Sequence, residues 1–73
     1  MNTKLCCVPE KNYCKIINII GTHRNKLAEL GFSKELIVYV ELTNSNIMKV
    51  KCRGYYIALR KSEAEKILVE IIK

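Results

Sequence analysis

The sequence has no aspartate, a single histidine and only three glycines among its 73 residues. With its seven acidic residues all glutamates and scattered along the chain, no nucleophile, base and orienting group can be assembled into a catalytic set. Gly21, Gly31 and Gly54 stand far apart, so the chain has no phosphate-binding glycine loop. We therefore expect a protein that is not an enzyme and that needs no cofactor.

Long hydrophobic segments are also missing. Apolar runs such as Leu36–Val40 are only a few residues long, whereas a membrane-spanning helix needs about 20 apolar residues. Met1–Leu5 lacks the apolar stretch of a secretory signal. We expect one domain over residues 1–73 that works in the cytoplasm, with a thin core and no deep pocket between subdomains.

Four cysteines could in principle bind metal or form disulfides: Cys6, Cys7, Cys14 and Cys52. The cytosol keeps thiols reduced, and the adjacent Cys6 and Cys7 are awkward disulfide partners. No C-x-x-C pair exists and His23 is the only histidine, so the usual zinc patterns cannot be written. We expect free thiols and no metal site. A weak, transient metal contact through Cys6, Cys7 or His23 stays open.

The net charge of +6, from 13 basic and 7 acidic residues, suits an anionic partner. Nucleic acid, a membrane surface and an acidic protein face are the candidate classes. The basic residues are spread through the chain, a distribution typical of a solvated surface. Their nearest approach to a cluster is formed by Lys49, Lys51, Arg53, Arg60 and Lys61.

Alternating and β-branched segments predict five strands. They are residues 13–20, 36–42, a return strand over 48–53, then 55–60 and 67–72. In the second strand, alternation places Leu36, Val38, Val40 and Leu42 on one face and Ile37, Tyr39 and Glu41 on the other. In the return strand it places Met48, Val50 and Cys52 inward and Lys49, Lys51 and Arg53 outward. Tyr55, Ile57 and Leu59 share one side of the fourth strand.

One short helix is predicted over residues 23–30. Thr22 can cap its first turn, and Gly31 stands where a left-handed residue ends a helix. Phe32 can then fold back onto Leu27. So short a helix needs the sheet beneath it for stability.

Turn residues separate the remaining strands. Residues 44–46, Asn-Ser-Asn, predict a tight turn, and Gly54 indicates a bulge or tight corner. Ser62 with Glu65 fits a capping box for a single helical turn. The predicted fold is mostly β: five strands that curl into a small, partly open barrel, with one short helix and a helical turn.

Two segments resemble the signature of the ferrous iron transport protein A (FeoA) family. Lys26–Phe32 is similar to its R-x-L-x-x-L-G-hydrophobic motif, and Val50–Ile67 is similar to its V-x-V-R-G-x-x-x-A-L-R-x-x-E-A-x-x-I block. Cys52 replaces the second valine of that block. The resemblance covers nearly the whole chain and is strongest over residues 27–69.

Three departures from the family pattern lie in loops. Lys34-Glu35 stands where the family has Pro-Gly, and Glu10 stands where a glycine is expected after proline. The loop at Thr43–Asn46 is shorter than in the family. These changes leave the barrel credible, but a function that resides in those loops would not carry over.

The resemblance implies an SH3-like barrel that acts as an accessory protein of bacterial ferrous iron uptake. Its implied partner is the ferrous iron permease, which carries a cytosolic GTP-binding domain, so the protein would reach the membrane only through that permease. We expect the contact at exposed residues that combine area with hydrogen bonding, namely Arg53, Tyr55, Tyr56 and Arg60. Each tyrosine is equally compatible with packing on the sheet.

The alternative hypothesis is binding of RNA or another nucleic acid. Small barrels bind RNA through a basic face and stacking aromatic side chains, and Tyr55 and Tyr56 beside Arg53 supply both. Aromatic residues make up only 7% of the chain and no RNA-binding signature is present. The sequence therefore favours the protein partner.

Overall fold

The computed structural model describes residues 2–21, 29 and 31–72. Six strands appear in this part of the chain: β1 (Asn2–Lys4), β2 (Asn12–Ile19), β3 (Ile37–Thr43), β4 (Ile47–Cys52), β5 (Tyr55–Arg60) and β6 (Ile67–Ile72). A 3-10 turn covers Leu5–Cys7, and a four-residue helix, α1, covers Lys61–Ala64. The helix predicted over 23–30 lies outside the described residues except for Glu29, as do its Thr22 cap and Leu27.

The strands form one antiparallel sheet in the order β1-β6-β2-β3-β4-β5. The mostly-β prediction is confirmed, and all five predicted strands are present. A sixth strand, which the sequence did not predict, is formed by Asn2–Lys4 and pairs with β6. Three residues are too few to show an alternating pattern, so only their distant partner reveals this strand.

The sheet wraps around its own core without closing. Among the described strands, β1 and β5 are the two edges, so the word barrel applies only loosely. A single flat sheet with its side chains is about 10 Å thick, whereas the domain measures 27 × 24 × 23 Å. The six strands therefore curl until one face is enclosed and the other faces solvent.

Buried apolar residues from every large element fill the enclosed face. The largest fully buried side chains include Phe32, Leu5, Ile16, Met48, Leu59 and Ile67. In β4 the predicted alternation is confirmed, since Met48, Val50 and Cys52 are buried while Lys49 and Lys51 are exposed. Cys52 is therefore a core thiol, as predicted.

The alternation predicted for β3 fails after Val40. Val40 pairs with Val50, but Leu42 pairs with Lys49 and Thr43 with Met48, because a bulge shifts the register there. An extra residue in one strand reverses the facing of those that follow it. Leu42, predicted on the same face as Val38 and Val40, is instead 42% exposed.

Two tight turns join β3, β4 and β5. In the first, the Asn44 side-chain oxygen accepts hydrogen bonds from the backbone N–H groups of Asn46 and Ile47, at 2.8 and 2.9 Å. In the second, Cys52 pairs with Tyr55, leaving Arg53 and Gly54 as a two-residue hairpin turn. Both have positive φ, 50° and 89°, as the favoured hairpin turns require. Gly54 thus marks a tight turn and not a bulge.

The predicted helical turn is present, but its cap differs from the prediction. The Glu63 carboxylate accepts a hydrogen bond from the Arg60 backbone N–H at 3.0 Å. The capping box is therefore formed by Arg60 and Glu63, and not by Ser62 and Glu65 as predicted. The helix begins directly where β5 ends, two residues too early for Ser62 to be its cap.

Candidate functional site

A row of five side chains crosses the outer face of the sheet at one level. Tyr13 lies opposite Ile72 on β6 and opposite Tyr39 on β3. Tyr39 lies opposite Lys51, and Lys51 opposite Tyr56. Side chains that are directly opposite in an antiparallel sheet share a face and lie side by side. We call Ile72, Tyr13, Tyr39, Lys51 and Tyr56 the outer row.

The outer row and its surroundings carry a cluster of exposed apolar side chains. Tyr13 is 56% exposed, Tyr56 48% and Ile37 50%. The Tyr13 and Tyr39 rings pack at 4.7 Å between centroids and a tilt of 51°, within the range of favourable aromatic pairs. Clustered exposed apolar side chains of this kind mark surfaces that bind a partner.

A groove of about 310 Å³ opens on this face. One wall is aromatic and aliphatic, with Tyr13, Ile37 and Tyr39. The other wall combines two cations with a ring, in Lys51, Arg53 and Tyr56. Its volume is near the lower end of the range for binding sites, so the groove can take one or two side chains of a larger partner.

On the basic wall, two lysine side chains lie over the Tyr56 ring. The ammonium groups of Lys49 and Lys51 lie 4.6 and 5.6 Å from its ring centroid, within reach of a cation–π interaction. Within the described part of the chain neither ammonium forms a salt bridge. Glu41 is the acidic residue that lines the groove. The face is therefore positive, with two lysines available to an anionic partner.

Of the four residues predicted as contacts, two lie together in the groove and the other two lie apart from it and from each other. Arg53 and Tyr56 both line the groove. Tyr55 points to the other side of β5 at the open end of the sheet, where it is 53% exposed. Arg60 is exposed at the far end of β5, opposite Ile47 and next to the helical turn.

Sequence reasoning missed Tyr13 and Tyr39 as site residues. The sequence did contain the information for Tyr39, because the alternation in β3 placed Tyr39 on the same face as Ile37, opposite Val38 and Val40. Tyr13 is the second residue of a strand of mixed burial, so its facing became clear only from the pairing with Tyr39.

The four thiols are free. Burial raises the pKa of Cys14 to about 11, and burial also raises the pKa of Cys52, against the opposing charge of Arg53. The Cys6 and Cys7 sulfurs lie 3.9 Å apart near the surface, and burial followed by contact with Cys7 raises the pKa of Cys6. The described residues contain no cluster of three or more metal-ligating side chains, and His23 is outside them.

Among the residues described, no helix is both long and apolar enough to cross a membrane.

Comparison with known proteins agrees with the resemblance seen in the sequence. Residues 3–71 match the family model described as the FeoA domain. The chain is 32% identical to a FeoA-like protein from Clostridium acetobutylicum solved by NMR, with a TM-score of 0.90, over 99% of this chain and 88% of the other. No curated protein matches the sequence.

Two crystal structures extend the comparison. An iron uptake regulatory protein (FeoA) is 19% identical, with a TM-score of 0.91 over 99% of both chains, and so supports the fold alone. The zinc complex of Stenotrophomonas maltophilia FeoA is 25% identical, with a TM-score of 0.80 over 93% of this chain and 89% of the other. That protein is described as a unique procaryotic SH3 domain protein and a candidate ferrous iron transport activating factor. The family model spans almost the entire sequence, and this chain therefore belongs to the FeoA domain family.

Proposed function

We propose that this protein is a cytosolic, non-catalytic accessory of bacterial ferrous iron uptake. It docks onto the cytosolic part of the ferrous iron permease, which carries a GTP-binding domain, and modulates transport. The observation that carries the proposal is the match to the FeoA domain over residues 3–71. The Stenotrophomonas maltophilia relative, described as a candidate transport activating factor, supports the same role.

The outer face is the proposed docking surface. Arg53 and Tyr56 are its anchors, because both are exposed and both line the groove. Arg60 lies on the same face at the far end of β5 and contributes to the rim of the contact, where charges affect the rate of association more than affinity, whereas Tyr55 points to the other side of β5 and lies outside this surface. A small protein without a catalytic set can act on a transporter only by such contacts, through its preference for one state of the partner.

The test is retention of the permease by the tagged protein in detergent extracts of iron-limited cells. The wild type is expected to retain the permease, and the double variant Arg53→Ser/Tyr56→Ser to retain much less. Lys34→Ser is the matched control, because Lys34 is exposed but does not line the groove. Absence of the permease from the wild-type eluate would contradict the proposal.

Uptake provides the second readout. Cells without the gene are expected to take up radiolabelled ferrous iron more slowly, and the wild-type gene to restore the rate. The double variant should restore it poorly while Lys34→Ser restores it fully. Equal restoration by all three would show that the outer face is not used.

A further inference from the structure

We infer that the groove on the outer face binds an extended, acidic peptide segment that inserts one apolar side chain between its two walls. The inference rests on the proposed function in one respect, since it names the chemistry of the segment that the partner presents. The evidence comes from the shape, the charge and the ring packing of the groove.

The dimensions of the outer row fit a peptide. It crosses five neighbouring strands, β6-β2-β3-β4-β5, and four strand spacings add to about 19 Å. An extended chain advances about 3.3 Å per residue, so about six peptide residues span the row. The groove of about 310 Å³ within it accommodates one anchoring side chain and its neighbours.

The charge of this face selects an acidic segment. Lys49, Lys51 and Arg53 are exposed on or beside the basic wall, and the domain as a whole carries a net charge of +6. The two lysines are positioned over the Tyr56 ring, so binding a carboxylate requires little further ordering of their side chains. Facing them, Tyr13, Ile37 and Tyr39 offer an apolar surface with no charge of their own.

The ring packing disfavours single-stranded nucleic acid. Base stacking needs an open aromatic face. The Tyr56 ring is covered by two ammonium groups, and the Tyr13 and Tyr39 rings are tilted by 51° against each other. A peptide carboxylate with an apolar neighbour needs no open ring face, because it binds the ammonium groups directly and its neighbour packs on the apolar wall.

The test measures binding of short synthetic peptides by fluorescence anisotropy. The probe carries one central leucine flanked by glutamates; the comparison peptides replace the glutamates by glutamines or lysines, or the leucine by glycine. We expect the glutamate–leucine peptide to bind most tightly. Lys51→Glu should weaken it by about fivefold to tenfold, as expected for reversing one exposed charge contact. Lys34→Glu, which makes the same charge change outside the groove, should have a much smaller effect.

Several outcomes would overturn the inference. They are no peptide binding, equal binding of the glutamine peptide, and equal losses in Lys51→Glu and Lys34→Glu. Tighter binding of an oligouridine RNA that Lys51→Glu abolishes would assign the groove to nucleic acid instead. Permease retention unaffected by Lys51→Glu would leave the proposed function standing without the acidic segment. Peptide binding without permease retention would support the acidic segment and contradict the proposed function.

Discussion

Tyr39 lies directly opposite Lys51 on the outer face of the sheet, so an aromatic side chain and a cation stand side by side where β3 meets β4. On one side Tyr39 packs against the Tyr13 ring, and on the other Lys51 lies over the Tyr56 ring. This pair is the junction of the apolar and the basic walls of the groove. A partner in the groove would therefore contact both walls.

The hairpin turn at Arg53-Gly54 allows stability and binding to be separated. Arg53 has a φ of 50°, a conformation that Asn adopts more readily than other side chains. Arg53→Asn is therefore expected to raise the free energy of unfolding by about 0.5 kcal/mol while weakening retention of the permease. Urea unfolding and the retention assay measure the two effects. A variant that loses stability and binding together would contradict this assignment of Arg53.

Thr43 carries a buried hydroxyl without a hydrogen-bond partner among the described residues. The bulge in β3 places Thr43 opposite the buried Met48, so the hydroxyl is turned toward the core. Thr43→Val keeps the shape and removes the unsatisfied group, and is expected to stabilise the fold by about 1 kcal/mol. Thr43→Ser is the control, since it keeps the hydroxyl, removes a methyl group and should destabilise. Thermal unfolding of the three proteins decides between them.

The bulge in β3 is a feature that the sequence alone did not predict. The alternating pattern identified five strands and the inward residues of β4. In a strand with one buried face, apolar and polar residues alternate, so the burial can be predicted from the sequence of that strand alone. The pattern could not place Leu42 or Thr43, because the bulge depends on which residue of β4 lies opposite. The outer row could not be predicted for the same reason. Tyr13 and Lys51 are far apart in sequence, and only the pairing register between the strands places them in one row.

Glu35 occupies a backbone conformation that favours glycine. Its φ is 73°, at the position where the family pattern has glycine. Its side chain is 82% exposed and forms a 3.9 Å ion pair with Lys15, which contributes little. Glu35→Gly is expected to stabilise the protein by up to about 1 kcal/mol. Lys34→Gly, at a residue whose φ is not positive, should instead destabilise the protein. Chemical denaturation in which Lys34→Gly is more stable than Glu35→Gly would contradict this prediction.

Cys14 makes stability depend on alkaline pH. Burial raises its pKa from 9.0 to about 11 in the folded state. The unfolded state therefore loses the thiol proton first, and stability falls as pH rises from about 9 to 11, by roughly 2–3 kcal/mol in total. Cys14→Ala should be less stable at neutral pH but should lose less over this range. Parallel slopes for the two proteins in urea titrations would show that Cys14 does not contribute.

The proposed contact between the outer face and the cytosolic part of the permease can be measured directly. The isotope-labelled protein is titrated with the purified cytosolic GTP-binding part of that permease, and the amide chemical shifts are followed. We expect the largest shifts at Tyr13, Tyr39, Lys51, Arg53 and Tyr56. Shifts confined to β1 and α1, or none at saturating partner, would contradict the proposed docking surface.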